Sequence, residues 1–326
     1  MSKFDLTGIG NAIMDVIAPC TDDFLTQFDI EKGSMTLIDQ DRAQALFAAM
    51  DTSTQTAGGS AANTMVGFSS FGGRGNYTGL VAQDETGDAF AADTKKLGLN
   101  FETPRYQGAL DTAKCYIFVT PDGERSMNTY LGACAELGEH HIDEALIANS
   151  AITYMEGYLF DKDPAKAAFK KSALIARKNE QQVSLTLSDS FCVNRHRADF
   201  IDLIQADIDI LFANEDELKA LFQTDNLTEA LNEVRGLCSV AAITQSERGS
   251  TIIHGGETIK IDATPISNVV DTTGAGDQYA AGFLYGLTTG QNLQTCGQYA
   301  SKAAGEVISH IGPRPSVDYK EFLKAA

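Results

Sequence analysis

The chain has 326 residues, enough for one large α/β domain or two modest ones, and 43% hydrophobic with 21% charged residues fits a globular protein with a sizeable core. It carries 44 Asp and Glu against 25 Lys and Arg, a formal charge of −19. That charge opposes binding to a nucleic-acid backbone or an anionic lipid surface, while leaving room for a local basic pocket. The six cysteines (20, 115, 134, 192, 238, 296) are widely spaced and include no C-x-x-C, which predicts free thiols in a reducing cytoplasm. The five histidines contain no H-E-x-x-H pair, and His140-His141 reads as solvated. Asp5 and Asp15 interrupt the first apolar stretch, so no signal peptide is expected. No apolar run approaches the roughly 18 residues of a membrane-spanning helix.

A first strand is predicted over residues 4–9, running into Gly8-Ile9-Gly10-Asn11-Ala12-Ile13-Met14-Asp15. A dinucleotide fingerprint would need a third glycine where Ile13 stands. Asp15 sits among apolar neighbours, where an unpaired carboxylate is costly. It reads either as half of a salt bridge or as a carboxylate holding two sugar hydroxyls. Residues 39–50 have the pattern of a capped amphipathic helix, and 51–57 that of a Thr-rich loop. Gly58-Gly59-Ser60-Ala61-Ala62-Asn63-Thr64 then opens a helix of small and apolar residues reaching Phe71. It is neither a P-loop nor a nucleophile elbow, since G-K-[ST] and G-x-S-x-G are both absent. Paired glycines let the backbone touch a ligand, and Asn63 offers a donor and an acceptor, a combination suited to a polyol or to an ordinary turn.

Strand 76–82 precedes helix 86–97, closed by Gly98. Residues 113–131 break the rhythm: 115–120, Pro121-Asp122-Gly123-Glu124 and 125–131 read as a β-hairpin inserted in a βα array, either a lid or a solvent-exposed ribbon. Strand 152–158 follows with helix 163–179, where Asp163 is the expected cap and Pro164 the first helical residue. Next come strand 183–188 with helix 195–205, then strand 208–213 ending in Asn214-Glu215-Asp216-Glu217, acids that suit a helix N-terminus. Strand 239–244 enters the turn Thr244-Gln245-Ser246-Glu247-Arg248-Gly249 and a hairpin, 251–254 with 258–262. Helices 292–310 and 316–324 close the chain; Ala300, Ala303 and Ala304 would admit either a flat ring or close helix packing. Repeated βα units predict a parallel sheet covered on both faces, with ligands at the carboxyl ends of its strands.

The stretch around which these units are organised is Val269-Val270-Asp271-Thr272-Thr273-Gly274-Ala275-Gly276-Asp277, followed by a helical pattern through Gly282. It reads as strand, tight turn and helix. Gly274 and Gly276 allow close backbone approach, and the first N–H groups of a helix, at its positive dipole end, make an anion site. A carboxylate there, Asp277, would repel an anion. It is either a simple charge on the helix dipole or the group that takes a proton from an attacking hydroxyl.

Together these strings resemble the signatures of the ribokinase-like (PfkB) carbohydrate and nucleoside kinases: the Gly-Gly-Ser-Ala-Ala-Asn element, the Asn214-x-x-Glu217 element, the turn at 244–249 and the Asp-Thr-Thr-Gly-Ala-Gly-Asp motif, in family order over nearly the whole chain. The resemblance implies a three-layer αβα sandwich with a central, mostly parallel sheet, in one domain spanning 1–326, and a small β-lid from segments near 12–39 and 104–131. It implies ATP-dependent transfer of a phosphoryl group to a primary hydroxyl. Asp277 would be the base, and the N–H groups of Gly274, Ala275 and Gly276 would hold the developing charge. Asp15, Gly58, Gly59, Asn63, Arg125 and Asn128 would bind the acceptor; Asn214, Thr244, Ser246 and Gly249 would bind ATP. Glu217 would act on Mg²⁺ through water, and a monovalent cation such as K⁺ would lie near Asp271.

Gly-Asn-Ala-Ile-Met-Asp, Gly-Gly-Ser-Ala-Ala-Asn, Arg-Ser-Met-Asn and Ile-Thr-Gln-Ser resemble the adenosine kinases of that family, which implies adenosine as acceptor. Other nucleosides, ribose, fructose and a 2-keto-3-deoxy sugar acid are alternatives, Glu156 and Tyr158 standing where adenosine kinases are more apolar. A non-catalytic nucleoside or sugar sensor on the same fold is a reading of a different class. The expected partner is a small-molecule nucleoside or sugar, with no nucleic acid and no membrane, in a monomer or homodimer.

Overall fold

The computed structural model describes residues 3–325. Its main sheet has eight strands: β1 (Phe4–Ile9), β5 (Gly75–Thr78), β8 (Ser150–Glu156), β9 (Gln182–Thr186), β10 (Ile210–Asn214), β11 (Val240–Thr244), β12 (Ser250–His254) and β13 (Glu257–Ile261). Their order is β13-β12-β11-β10-β9-β8-β1-β5. The six strands from β5 to β11 are parallel, and the β12–β13 hairpin closes one edge antiparallel. From β1 the chain steps outward to β5, then returns to β8 on the other side. The carboxyl ends of β1 and β8 therefore flank a switch point, where open α/β sheets take ligands.

A second sheet of five strands lies in the order β3-β7-β6-β2-β4, from β2 (Ile13–Pro19), β3 (Met35–Leu37), β4 (Thr54–Ala57), β6 (Ala113–Val119) and β7 (Arg125–Tyr130). The inserted hairpin supplies β6 and β7. The sheet also recruits 54–57, where a loop is expected, because Thr54–Ala57 pairs antiparallel with β2. Asp15 is opposite Cys115, Cys115 opposite Thr129, and Tyr116 opposite Asn128.

The helices are α1 (Asp22–Gln27), α2 (Gln40–Ala48), α3 (Ser60–Ser70), α4 (Glu85–Lys96), α5 (Glu144–Ala148), α6 (Asp163–Lys178), α7 (Ser190–Asp207), α8 (Glu215–Phe222), α9 (Leu227–Val234), α10 (Ala275–Thr288) and α11 (Leu293–Val307). Strand alternation sorts the core into two faces. Ile9, Met155, Leu185, Leu211 and Ile243 pack with Phe169, Phe200 and Leu218 on one side. Leu6, Tyr154, Phe212 and Ala242 pack with Met65, Phe68, Phe283 and Ala300 on the other. Each such side chain contributes roughly 1.5–3 kcal/mol by leaving water. Ala300 and Ala303 are fully buried, so the small residues of α11 serve close helix packing.

Four local expectations shift. The cap of α6 is Lys162, one residue before Asp163. Helix α7 starts at Ser190 because Asp189 caps it by accepting from the Cys192 N–H, and it kinks at His196. Val269–Asp271 is not a strand. Val269 and Val270 lie exposed outside the sheet, and the Val270 N–H donates to the Ile308 carbonyl at 2.8 Å. The last expected helix is a 3₁₀ segment over Tyr319–Ala325.

Candidate active site

Helix α10 begins on Gly274, whose φ of 81° is in the left-handed region; a Cβ there would come within 2.6 Å of Pro313. No side chain caps the helix, so its first turn offers backbone N–H groups and the positive dipole end to an anion. Of the three expected donors, Ala275 is spent: its N–H turns back to the Thr272 carbonyl at 3.2 Å. Asp277, in the first turn, is held on both oxygens. The Ser60 hydroxyl donates to Oδ1 at 2.6 Å and the Asn63 amide to Oδ2 at 3.3 Å. Burial pushes its carboxyl up to about 6, and these two bonds oppose the rise. A base in that range is mostly ionised at neutral pH yet basic enough to take a hydroxyl proton in a transition state.

Ser60 and Asn63 come from α3, which starts on Gly59 at φ 93°; a Cβ there would meet the Asn11 carbonyl at 2.2 Å. Gly58 backs Asp15, and a Cβ there would lie 2.2 Å from Asp15 Oδ2. Asp15 reaches the same space from β2. Burial pushes it up to about 7, against the attraction of Arg314 and Arg125, with Asp277 adding to the rise. Asp15, Gly58, Gly59, Asn63 and Asp277 are therefore one cluster, built by β2, the turn into α3, and α10.

Asn128 does not join it. Asn128 is opposite Tyr116, whereas Asp15 is in register with Cys115 and Thr129, so strand alternation puts Asn128 on the other face of the small sheet. There it is 3% exposed, beside the cluster of Val16, Tyr116 and Phe118 under α1 and α2. Arg125 is on the Asp15 face. Its guanidinium pairs with Asp271 Oδ2 at 2.7 Å and donates to Thr273 Oγ1 at 3.2 Å, tying the small sheet to the loop before α10.

The other flank lies at the ends of β10 and β11, where Asn214 and Thr244 are direct partners. Asn214 and Glu217 form a reciprocal capping box: the Glu217 N–H donates to Asn214 Oδ1, while Asn214 N–H and Nδ2 donate to the two Glu217 oxygens at 2.9 and 2.6 Å. Burial pushes Glu217 up to about 7. Ser246, at φ 53°, is exposed, and Gly249, at φ 79°, returns the chain into β12.

Three members of the site escaped the sequence reading as such. Glu156, 1% exposed at the end of β8, accepts from Asn11 Nδ2 and from the Ala61 N–H, both at 2.8 Å, and so joins the β1–β2 turn to the start of α3. Burial pushes it up to about 7. Its signal was a lone acid ending an apolar strand. Ser60 stood within the paired-glycine string and looked like turn chemistry. Arg314 lies between two prolines with no motif around it; its Nε donates to Asn63 Oδ1 at 3.1 Å.

A glycine-led helix start that suits an anion, a buried carboxylate in its first turn and the Asp15–Gly58–Gly59–Asn63 cluster across from it together fit a phosphotransferase acting on a hydroxyl group. Residues 31–319 match the pfkB family carbohydrate kinases, and the chain belongs to that family. Adenosine kinase from Sinorhizobium meliloti, a solved structure, is 46% identical over 100% of both chains, with a TM-score of 0.93. A probable sugar kinase from Rhizobium etli CFN 42 is 47% identical over 100% of this chain and 99% of its own, also at 0.93. Saccharomyces cerevisiae adenosine kinase is 26% identical over 94% of this chain and 96% of its own length. The protein is thus a sugar or nucleoside kinase with a ribokinase-like fold. No helix among the described residues is long and apolar enough to cross a membrane.

Proposed function

We propose that this kinase transfers the γ-phosphoryl of ATP to the primary hydroxyl of a ribose-bearing nucleoside, with adenosine as the first candidate. The observation that carries the reading is Asp277, ionisable near neutrality and held by Ser60 and Asn63 beside the Asp15–Gly58–Gly59 cluster. In this mechanism Asp15 and the Gly58–Gly59 backbone grip the ribose diol and leave its remaining hydroxyl facing Asp277. Such orientation can supply roughly 7–11 kcal/mol of the barrier. Asp277 accepts the proton, and the N–H groups at the start of α10 stabilise the charge growing on the phosphoryl oxygens; each such donor is typically worth about 2.7–4 kcal/mol. The small sheet acts as a lid over the acceptor, with Arg125 meeting the loop before α10, and excludes water that would compete as acceptor. Thr244, Ser246, Gly249 and Asn214 line the nucleotide side.

Mg²⁺ would arrive with ATP and neutralise phosphate charge. Both Glu217 oxygens are engaged by Asn214, and no group of three or more His, Cys, Asp or Glu among the described residues is placed to hold a metal. These residues fit an ion that keeps its water shell, with Glu217 outside it. The direct K⁺ site at Asp271 fits poorly: Thr273 N–H and Oγ1–H donate to Oδ1, and the Gly312 N–H and Arg125 to Oδ2. The guanidinium already stands where a cation would be needed.

Adenosine is supported by the full-length similarity to the Sinorhizobium enzyme, and a sugar acceptor by the equal similarity to the Rhizobium protein. ATP turnover with adenosine, inosine, guanosine, ribose and fructose at equal concentration separates the two. The expected result is a kcat/KM for adenosine at least about 100-fold above ribose, the value of burying one aromatic base at ~3 kcal/mol. A preference for ribose or fructose over every nucleoside would sink the nucleoside reading and leave the kinase. Free thiols at all six cysteines support a reducing, cytoplasmic setting.

A further inference from the structure

The turn after α11, Gly312-Pro313-Arg314, is woven into both signature motifs. The Gly312 N–H donates to Asp271 Oδ2 at 2.8 Å. The Pro313 carbonyl accepts from Gln278 Nε2 at 2.9 Å, and the same amide donates to the Asn63 carbonyl at 3.0 Å. Arg314 continues inward: Nε donates to Asn63 Oδ1 at 3.1 Å and one terminal nitrogen pairs with Asp93 Oδ2 at 2.6 Å, leaving the Arg side chain 15% exposed. A guanidinium has no acceptor, so it can face only the oxygen of the Asn63 amide. The Asn63 NH₂ is thereby turned to Asp277 Oδ2.

We propose that Arg314 is a positioning residue for phosphoryl transfer: anchored by Asp93, it fixes the sense of the Asn63 amide and so keeps a donor, rather than an acceptor, against the base Asp277. The proposal rests on the reading of Asp277 as base. Without Arg314 the buried amide is free to flip and present its oxygen to the carboxylate. Two acceptors tolerate each other there only if Asp277 is protonated, so the base is lost at the acid end of the pH range. The other groups facing this space are Asp15 on β2, Arg125 on β7, Tyr154 and Glu156 on β8, Tyr158 beyond it and Glu217 on α8. Arg125, the cation among them, is held by Asp271 and Thr273, and none of these groups supplies a donor to Asn63 Oδ1.

The test is the pH profile of kcat for Arg314→Met, Arg314→Lys and Asp93→Asn, each also in an Asn63→Ala background, with thermal melts alongside. Arg314→Met is expected to move the acid limb upward by about one pH unit, the value of one lost hydrogen bond to a charged group, so that kcat falls about fivefold more at pH 6 than at pH 8.5. Lysine, able to donate to the same oxygen, is expected to restore most of the limb, and Asp93→Asn to shift it less. In the Asn63→Ala background Arg314→Met is expected to add no shift. An unmoved limb, with activity reduced evenly or only the melting temperature lowered, overturns the proposal. So does an equal shift without Asn63, which would make Arg314 a through-space charge. Titrating the Asp277 carboxyl carbon by NMR, assigned with Asp277→Asn, gives the same answer without an acceptor. A shifted inflection in a protein that phosphorylates nothing in the panel would keep the relay and sink the nucleoside kinase reading.

Discussion

The two flanks of the site are built differently. Around Asp277 the polar side chains hold one another: Glu156 holds Asn11 and Ala61, Arg314 holds Asn63, and Ser60 and Asn63 hold Asp277. At the ends of β10 and β11 the surface is more open: Asn214, capping α8, and Ser246, in the turn after β11, are both exposed. A hydroxyl that must be aimed needs a rigid, partly dry frame, and burial there lifts three carboxyls, those of Asp15, Glu156 and Asp277, toward neutrality. A helix start that meets an anion with backbone N–H groups tolerates a more open approach.

The contrast breaks most visibly at Asp277. Asp277→Asn is expected to lower kcat by roughly 10²–10⁴ while ATP binding by calorimetry is preserved. Activity within a few-fold of wild type would remove Asp277 from the role of base. The next effect sharpens the asymmetry. Asp15→Ala is expected to raise the acceptor KM about 10–100-fold with the ATP KM nearly unchanged, whereas Ser246→Ala raises only the ATP KM, by no more than about fivefold, because its hydroxyl is exposed. Equal effects of Asp15→Ala on both substrates would make Asp15 a structural charge.

The smallest effect concerns stability. Asp15, Glu156 and Glu217 are pushed up to about 7 and Asp277 to about 6 by burial. Each binds a proton more tightly folded than unfolded, so its contribution is complete below the unfolded value of about 4 and is lost as pH rises toward 7. Asp5, Asp84 and Asp271, held low in the folded state, lose their contribution only at more acid pH. The melting temperature of the ligand-free protein is expected to fall between pH 5 and pH 8, at roughly 2–4 °C per kcal/mol, with a shallower slope in Glu156→Gln. A flat or rising curve would contradict the burial of these groups.

Periodicity and caps made the sheet, its flanking helices and the inserted hairpin legible, and the turn strings marked Asp277, Asp15 and Asn63. What stayed hidden depends on partners distant in the chain. Asn128 follows Met127 in a strand whose alternation is plain, but which face meets the site is decided through β6, which ties β7 to β2, more than 100 residues earlier. Val269–Asp271 has the residues of a strand, but its backbone is drawn to Ile308 at the end of α11, a partner distant in the chain. Glu156 and Arg314 are single polar residues whose roles exist only through Ala61, Asn11 and Asn63.

Arg314 and Asn63 are 251 positions apart, and Gln278 lies 215 positions from Asn63. Contacts that span so much chain are slow to close and are absent from any shorter fragment. The hold on the Asn63 amide therefore belongs to the late steps of folding, and it is lost in any fragment that separates residues 312–314 from α3.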